Sequence, residues 1–157
     1  MEHRKPTILL VEDQPTVRLM LHAGLSARGF DVLMAGTGEK ALALCKGVDG
    51  PIDLLITDIG LTRPQCWTPD ADAMVHGIAL ADAALTVRPS LKVLLLTGHS
   101  DEIVEKLNNG RPVQFPLVRK PCDLSTLVAT VRQLLGLHPA KAHSLTEDQS
   151  NVAHTAS

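Results

Sequence analysis

Two adjacent acids, Glu12 and Asp13, a third acid, Asp58, a hydroxyl, Thr97, and an ammonium, Lys120, are the residues of this chain whose types could do chemistry together. Each stands where a short strand-like run ends. Three carboxylates at one place repel and raise each other's pKa values unless a cation sits among them. An all-oxygen set with no His or Cys in it suits Mg²⁺, which keeps several waters and binds phosphate with them. A lysine and a threonine hydroxyl beside that metal supply the cation and the donor that phosphoryl oxygens need, since phosphoryl transfer is mostly positioning and charge neutralisation. Asp58 can then be the nucleophile that becomes an aspartyl phosphate, because an ionised carboxylate needs no general base.

The elements that must hold these groups follow from the apolar pattern. Leu54, Leu55 and Ile56 form an unalternating run too short for a helix, which predicts the buried middle strand of a parallel sheet with Asp58 at its C-terminal end. Ligands bind at that edge of open α/β sheets. Similar runs at 7–11, 31–35, 92–96 and, more weakly, 116–119 predict four further strands. Helices are predicted between them. The first starts at Gln14-Pro15 with Val17, Met20, Leu21 and Leu25 on one face, and the second, 39–46, turns Leu42 and Cys45 inward. The third, 77–88, uses Ile78, Ala81 and Leu85. A short one, which Ser100 can cap ahead of Asp101 and Glu102, has only Ile103, Val104 and Leu107 as anchors, and is expected to be the least stable. The last, capped by Asp123, carries the stripe Leu124, Leu127, Val128, Val131, Leu134 and Leu135 before Gly136. Five strands and five helices in strict alternation make a doubly wound α/β sheet with helices on two faces. Pattern alone leaves the strand order open.

Composition narrows the function classes. The 157 residues predict one domain, 1–136, and a tail, 137–157, whose Ala, His, Ser, Thr and Asn content predicts disorder. Aromatics are 2% of the chain, so its core must be aliphatic. A net charge of −2 without a Lys/Arg cluster argues against nucleic acid as a partner. Cys45, Cys66 and Cys122 show no CxxC spacing, so neither a disulfide framework nor a zinc site is indicated. The first apolar run stops at Val11 against two acids, which is neither a signal peptide nor a membrane span. A cytoplasmic protein is expected.

The order Glu-Asp, Asp, Thr-Gly, Lys-Pro, each pair or residue after a successive strand, resembles the receiver domain of two-component response regulators over residues 6–136. The likeness is to stand-alone receivers of the chemotaxis-regulator kind. It implies a flavodoxin-like five-stranded parallel sheet of order 2-1-3-4-5 and a cis Lys120-Pro121 bond. It also implies Mg²⁺ held by Asp13, Asp58 and the Gly60 carbonyl, with Glu12 acting largely through water. Asp58 would take phosphate from a histidine kinase or histidine phosphotransfer protein, and Thr97 and Lys120 would contact the new phosphoryl oxygens. Such a protein catalyses only its own phosphorylation and dephosphorylation and signals by contact with a downstream protein. Relay, sink and diffusible regulator all fit, as does a homodimer formed on phosphorylation.

The chain departs from the family in two places. Leu117 occupies the position, three before the lysine, where the family generally has an aromatic switch, and Phe115 lies two residues upstream. Leu61 to Ala73, containing Cys66 and Trp67, reads as an insertion of about ten residues against the usual short connection. Trp67 is either an interface anchor or folded back onto the protein. His76 and His99 lack ligand spacing and read as solvent-facing, though His99 and Gly60 resemble positions that influence how fast water removes the phosphate. Two other classes stay open: a phosphorylation-independent binding module, and a Mg²⁺-dependent phosphohydrolase with Asp58 as turnover nucleophile, for which no residue in a general-acid position is evident.

Overall fold

Successive side chains along each strand enter two separate apolar layers, as a sheet covered on both faces requires. The computed structural model describes residues 3–61 and 77–137. They form β1 (Thr7–Val11), α1 (Pro15–Ser26), β2 (Asp31–Ala35), α2 (Gly38–Gly47), β3 (Leu54–Asp58), α3 (Gly77–Val87), β4 (Lys92–Thr97), α4 (Asp101–Leu107), β5 (Leu117–Arg119) and α5 (Leu124–Leu134). The strand order is β2-β1-β3-β4-β5 and every pairing is parallel. That is the flavodoxin-like topology that the resemblance implies and that the apolar pattern leaves open. Its switch point lies between β1 and β3, where the winding direction reverses.

Leu9, Leu55 and Leu95 share one layer with Ala41, Leu42 and Cys45 of α2, Ile78, Ala81 and Ala84 of α3, and Val104 of α4. Ile8, Leu10, Leu54, Ile56, Leu94 and Leu96 share the other with Leu21 and Leu25 of α1 and Leu127, Val128 and Val131 of α5. Local signals set the helix starts. Pro15 opens α1, Thr37 Oγ1 accepts from Lys40 N at 3.1 Å, and Asp123 Oδ1 accepts from Thr126 N at 2.7 Å. The Lys120-Pro121 bond is cis, as the resemblance implies.

Three expectations need correction. Met20 is 64% exposed. The inward stripe of α1 is Val17, Leu21 and Leu25, spaced by four, and Met20 sits roughly 100° around the helix from Leu21. Ser100 has N-cap backbone geometry, but its side chain makes no capping bond. β5 begins at Leu117, one residue later than the pattern suggests, because Pro116 has no N–H for the ladder; its carbonyl still accepts from Leu95 N at 2.9 Å. Phe115 nevertheless packs against the same layer as Leu117. α4 buries only Val104 among its residues, in keeping with its short apolar pattern. Most of the insertion, with Cys66, Trp67 and His76, lies outside the described residues, as does the tail beyond Leu137.

Candidate functional site

Because β1 and β3 are neighbours in parallel register, with Val11 opposite Thr57, the residues that follow them emerge side by side. This brings carboxylate oxygens of Glu12, Asp13 and Asp58 within 4.8 Å of one another at the switch point. β4 and β5 pair with Thr97 opposite Arg119. Lys120 N then donates to the Thr97 carbonyl at 2.7 Å, carrying the register one residue further. From there Lys120 reaches back across the sheet's edge, its Nζ 2.5 Å from Asp58 Oδ2 and 2.9 Å from Glu12 Oε2.

Each acid has a distinct setting. Asp58 Oδ1 accepts from Gly60 N at 2.9 Å, and its side chain keeps 14% of its surface open to solvent. Glu12 is enclosed: one oxygen meets Lys120 and the other accepts from Gln14 N at 3.2 Å. Burial pushes its carboxyl above the ordinary value, an effect that the Lys120 bond only partly offsets. For Lys120 burial works against the charge, but the bonds to Asp58 and Glu12 outweigh it and its pKa is raised. Among the described residues the three carboxylates meet one ammonium, and a divalent cation held by their oxygens would add neutralising charge. The donor set is all oxygen, which suits a hard cation such as Mg²⁺.

Thr97 is fully buried at the end of β4, and its Oγ1 accepts from His99 N at 2.9 Å. The His99 ring is not directed away from the site: a Cβ on Gly60 would lie 2.9 Å from its Nε2. It therefore walls the pocket beside Asp58, as its position two residues after Thr97 suggests. Glu12, Asp13, Asp58 and Lys120 thus come together, with Gly60 just after β3 and Thr97 at the end of the neighbouring β4.

Three residues of the neighbourhood carry no mark in the sequence pattern. Gly77, at the start of α3, presses on β3, since a Cβ there would lie 2.3 Å from the Asp58 carbonyl oxygen. A glycine opening a run of helical periodicity is the only hint in the sequence. Arg119 donates to the His99 carbonyl at 2.9 Å and pairs with Asp101, tying β5 to the turn that carries His99. Arg18 donates to the Glu12 carbonyl at 2.7 Å.

A family model described as the response regulator receiver domain matches residues 8–132. Among curated relatives, the transcriptional regulatory protein AruR of Pseudomonas aeruginosa is 38% identical over 83% of this chain and 49% of its own length. The response regulator receiver protein CpdR of Brucella abortus is 29% identical over 82% of this chain and 95% of its own. A crystal structure of a response regulator receiver protein from Sinorhizobium medicae superposes with a TM-score of 0.65 at 28% identity, covering 85% of this chain and 96% of that one. The chain spans about half of AruR and 12% of the sensor kinase CckA of the same Brucella species, so these whole proteins extend well beyond the shared region.

Proposed function

The chain belongs to the response regulator receiver family of two-component signalling, and from that premise we propose that Asp58 is its phosphoacceptor, with Mg²⁺ held by Asp13, Asp58 and the Gly60 carbonyl and Glu12 behind them. The observation that carries this reading is the double engagement of one carboxylate. Asp58 belongs to the acid trio and also meets the Lys120 ammonium, so a metal held by the trio and that ammonium would both face a phosphoryl group on it. Bound Mg²⁺ would supply charge neutralisation on the phosphoryl oxygens.

The chain's own residues do the rest. An Asp58 oxygen attacks phosphorus, the P–N bond of a phosphohistidine donor breaks, and the imidazole nitrogen keeps the electron pair. Lys120, freed from Asp58 Oδ2, turns to a phosphoryl oxygen. The Thr97 hydroxyl donates to another while its oxygen keeps the His99 N–H. The donor is a histidine kinase or histidine phosphotransfer protein, and the output is altered contact with a downstream protein, in which the turn at 98–100 and α4 shift as a pre-existing equilibrium is biased. With Leu117 in place of an aromatic, that shift would run through the Arg119 contacts with His99 and Asp101. We read residues 1–136 as the receiver domain and the protein as catalysing only its own phosphorylation and dephosphorylation. Burial raises the pKa of Glu12 beside Asp58, but both its oxygens are engaged, which disfavours a general-acid role and hence a turnover phosphohydrolase. Among the described residues, no helix is long and apolar enough to cross a membrane.

The test is incubation with a small phosphodonor and Mg²⁺ followed by intact mass. One added phosphoryl group, absent in Asp58→Asn, supports the reading. Continuous turnover of an external ester favours the hydrolase, and no uptake favours a phosphorylation-independent binding module.

A further inference from the structure

We propose that Arg18 is a positioning residue for the acid pocket: seated against Gly36, its guanidinium holds the peptide joining Glu12 to Asp13 and so sets how the two carboxylates meet a metal. This rests on the metal-assisted phosphoacceptor reading and extends it to a residue outside the acid, threonine and lysine set.

Three observations carry it. Arg18 Nη1 donates to the Glu12 carbonyl at 2.7 Å from a half-buried position. That carbonyl belongs to the Glu12-Asp13 peptide plane, whose tilt decides the direction in which the Asp13 side chain leaves the backbone. Gly36 provides the seat. A Cβ there would lie 2.9 Å from Arg18 Nη1 and 3.4 Å from Cζ, and the residue is not among the glycines with positive φ. Its missing side chain therefore makes room for the guanidinium and is not needed for backbone freedom. Finally, among the described residues the ion pairs are Arg4 with Asp53, Arg119 with Asp101, and Lys120 with Glu12 and Asp58. Arg18 is in none of them, so its directional contact is the carbonyl. The Glu12 N–H donates to the Ala35 carbonyl at 3.1 Å, directly before Gly36. Arg18 thus clamps the acid-bearing turn onto the end of β2 from the other side of the same residue.

The experiment measures the Mg²⁺ dissociation constant of the full chain by calorimetry, together with thermal unfolding. Arg18→Met is expected to weaken Mg²⁺ binding about 10-fold, the scale on which partners of metal ligands act. Gly36→Ala should weaken it similarly, because a methyl displaces the flexible guanidinium tip while the backbone stays. The double variant should be no worse than either single one, and Arg18→Lys should recover part of the affinity. Arg88→Met is the control. Arg88 also donates to carbonyls, those of Cys45, Val48 and Gly50, but at the opposite edge of the sheet. It should lower the melting temperature and leave Mg²⁺ affinity alone. An unchanged dissociation constant in Arg18→Met overturns the inference, as does an Arg88→Met variant that loses affinity in step with stability. A wild-type chain that binds no Mg²⁺ overturns the phosphoacceptor reading itself.

Discussion

Lys120 Nζ and Asp58 Oδ2 are 2.5 Å apart although 62 residues separate them in the chain, and the same ammonium is 2.9 Å from Glu12 Oε2. One cation thereby holds two members of an acid trio. Removing it as Lys120→Met leaves an enclosed Glu12 and a partly open Asp58 without their partner. Losing one partner of a fully buried pair costs about 3–5 kcal/mol, but solvent access at Lys120 and Asp58 should hold the loss nearer about 1–2 kcal/mol. Urea unfolding without metal measures it, and phosphoryl uptake from a small donor should fall sharply in the same variant.

The acid trio should make stability depend on divalent metal. Mg²⁺ at ten times its dissociation constant is expected to stabilise the chain by about 1.4 kcal/mol through linkage. In Asp13→Asn one of the oxygen ligands loses its charge, so the Mg²⁺ response should shrink. Paired thermal melts with and without Mg²⁺ check both. A wild-type response retained in Asp13→Asn would remove Asp13 from the ligand set.

Asp53 predicts a pH effect at the opposite edge of the sheet. Its carboxylate accepts from Arg4 at 2.9 and 2.8 Å and from Thr7 N at 2.7 Å. The Arg4 bonds above all hold its pKa below the ordinary 3.8. The unfolded chain therefore binds this proton more readily, so the stabilisation is present above pH 3.8 and is lost as pH falls through the lower folded value. Asp53→Asn should cost about 1 kcal/mol at neutral pH, a figure kept small by solvent screening. The gap between wild type and variant should close below pH 3.8, as followed by urea midpoints across the acid range.

Gly77→Ala tests the close approach behind Asp58. The added Cβ would meet the Asp58 carbonyl oxygen at 2.3 Å and Thr57 Oγ1 at 3.0 Å, contacts with a strand that cannot swing aside. Overpacking of this kind costs about 1–3 kcal/mol. Because the displaced atom belongs to Asp58 itself, the phosphorylation rate should fall even where the variant is fully folded. A variant that is destabilised yet phosphorylated at the wild-type rate would show that α3 moves and Asp58 does not.

Much of this protein is legible along the chain because the signals are local. Unalternating runs such as Leu54 to Ile56 predict buried strands, Thr37 and Asp123 end up capping helices as such residues do, and the acids, threonine and lysine follow strands in an order specific to receivers. Burial is not legible where it depends on what packs alongside. Met20 fits a helical apolar face yet points to solvent, because the stripe of Val17, Leu21 and Leu25 already fills the contact of α1. Pro116 fits an apolar run yet cannot complete a ladder.

What the sequence by itself determined is which residues end strands and which chemistry they offer, since hydrophobic period and side-chain type are properties of short stretches. What only the tertiary structure decided is which of them touch. Lys120 meets Glu12 across 108 residues, Arg18 grips Glu12 over Gly36, and Gly77 presses on Asp58. Those distances follow from strand order and register, which the two apolar layers impose jointly on the whole chain and which no single segment encodes.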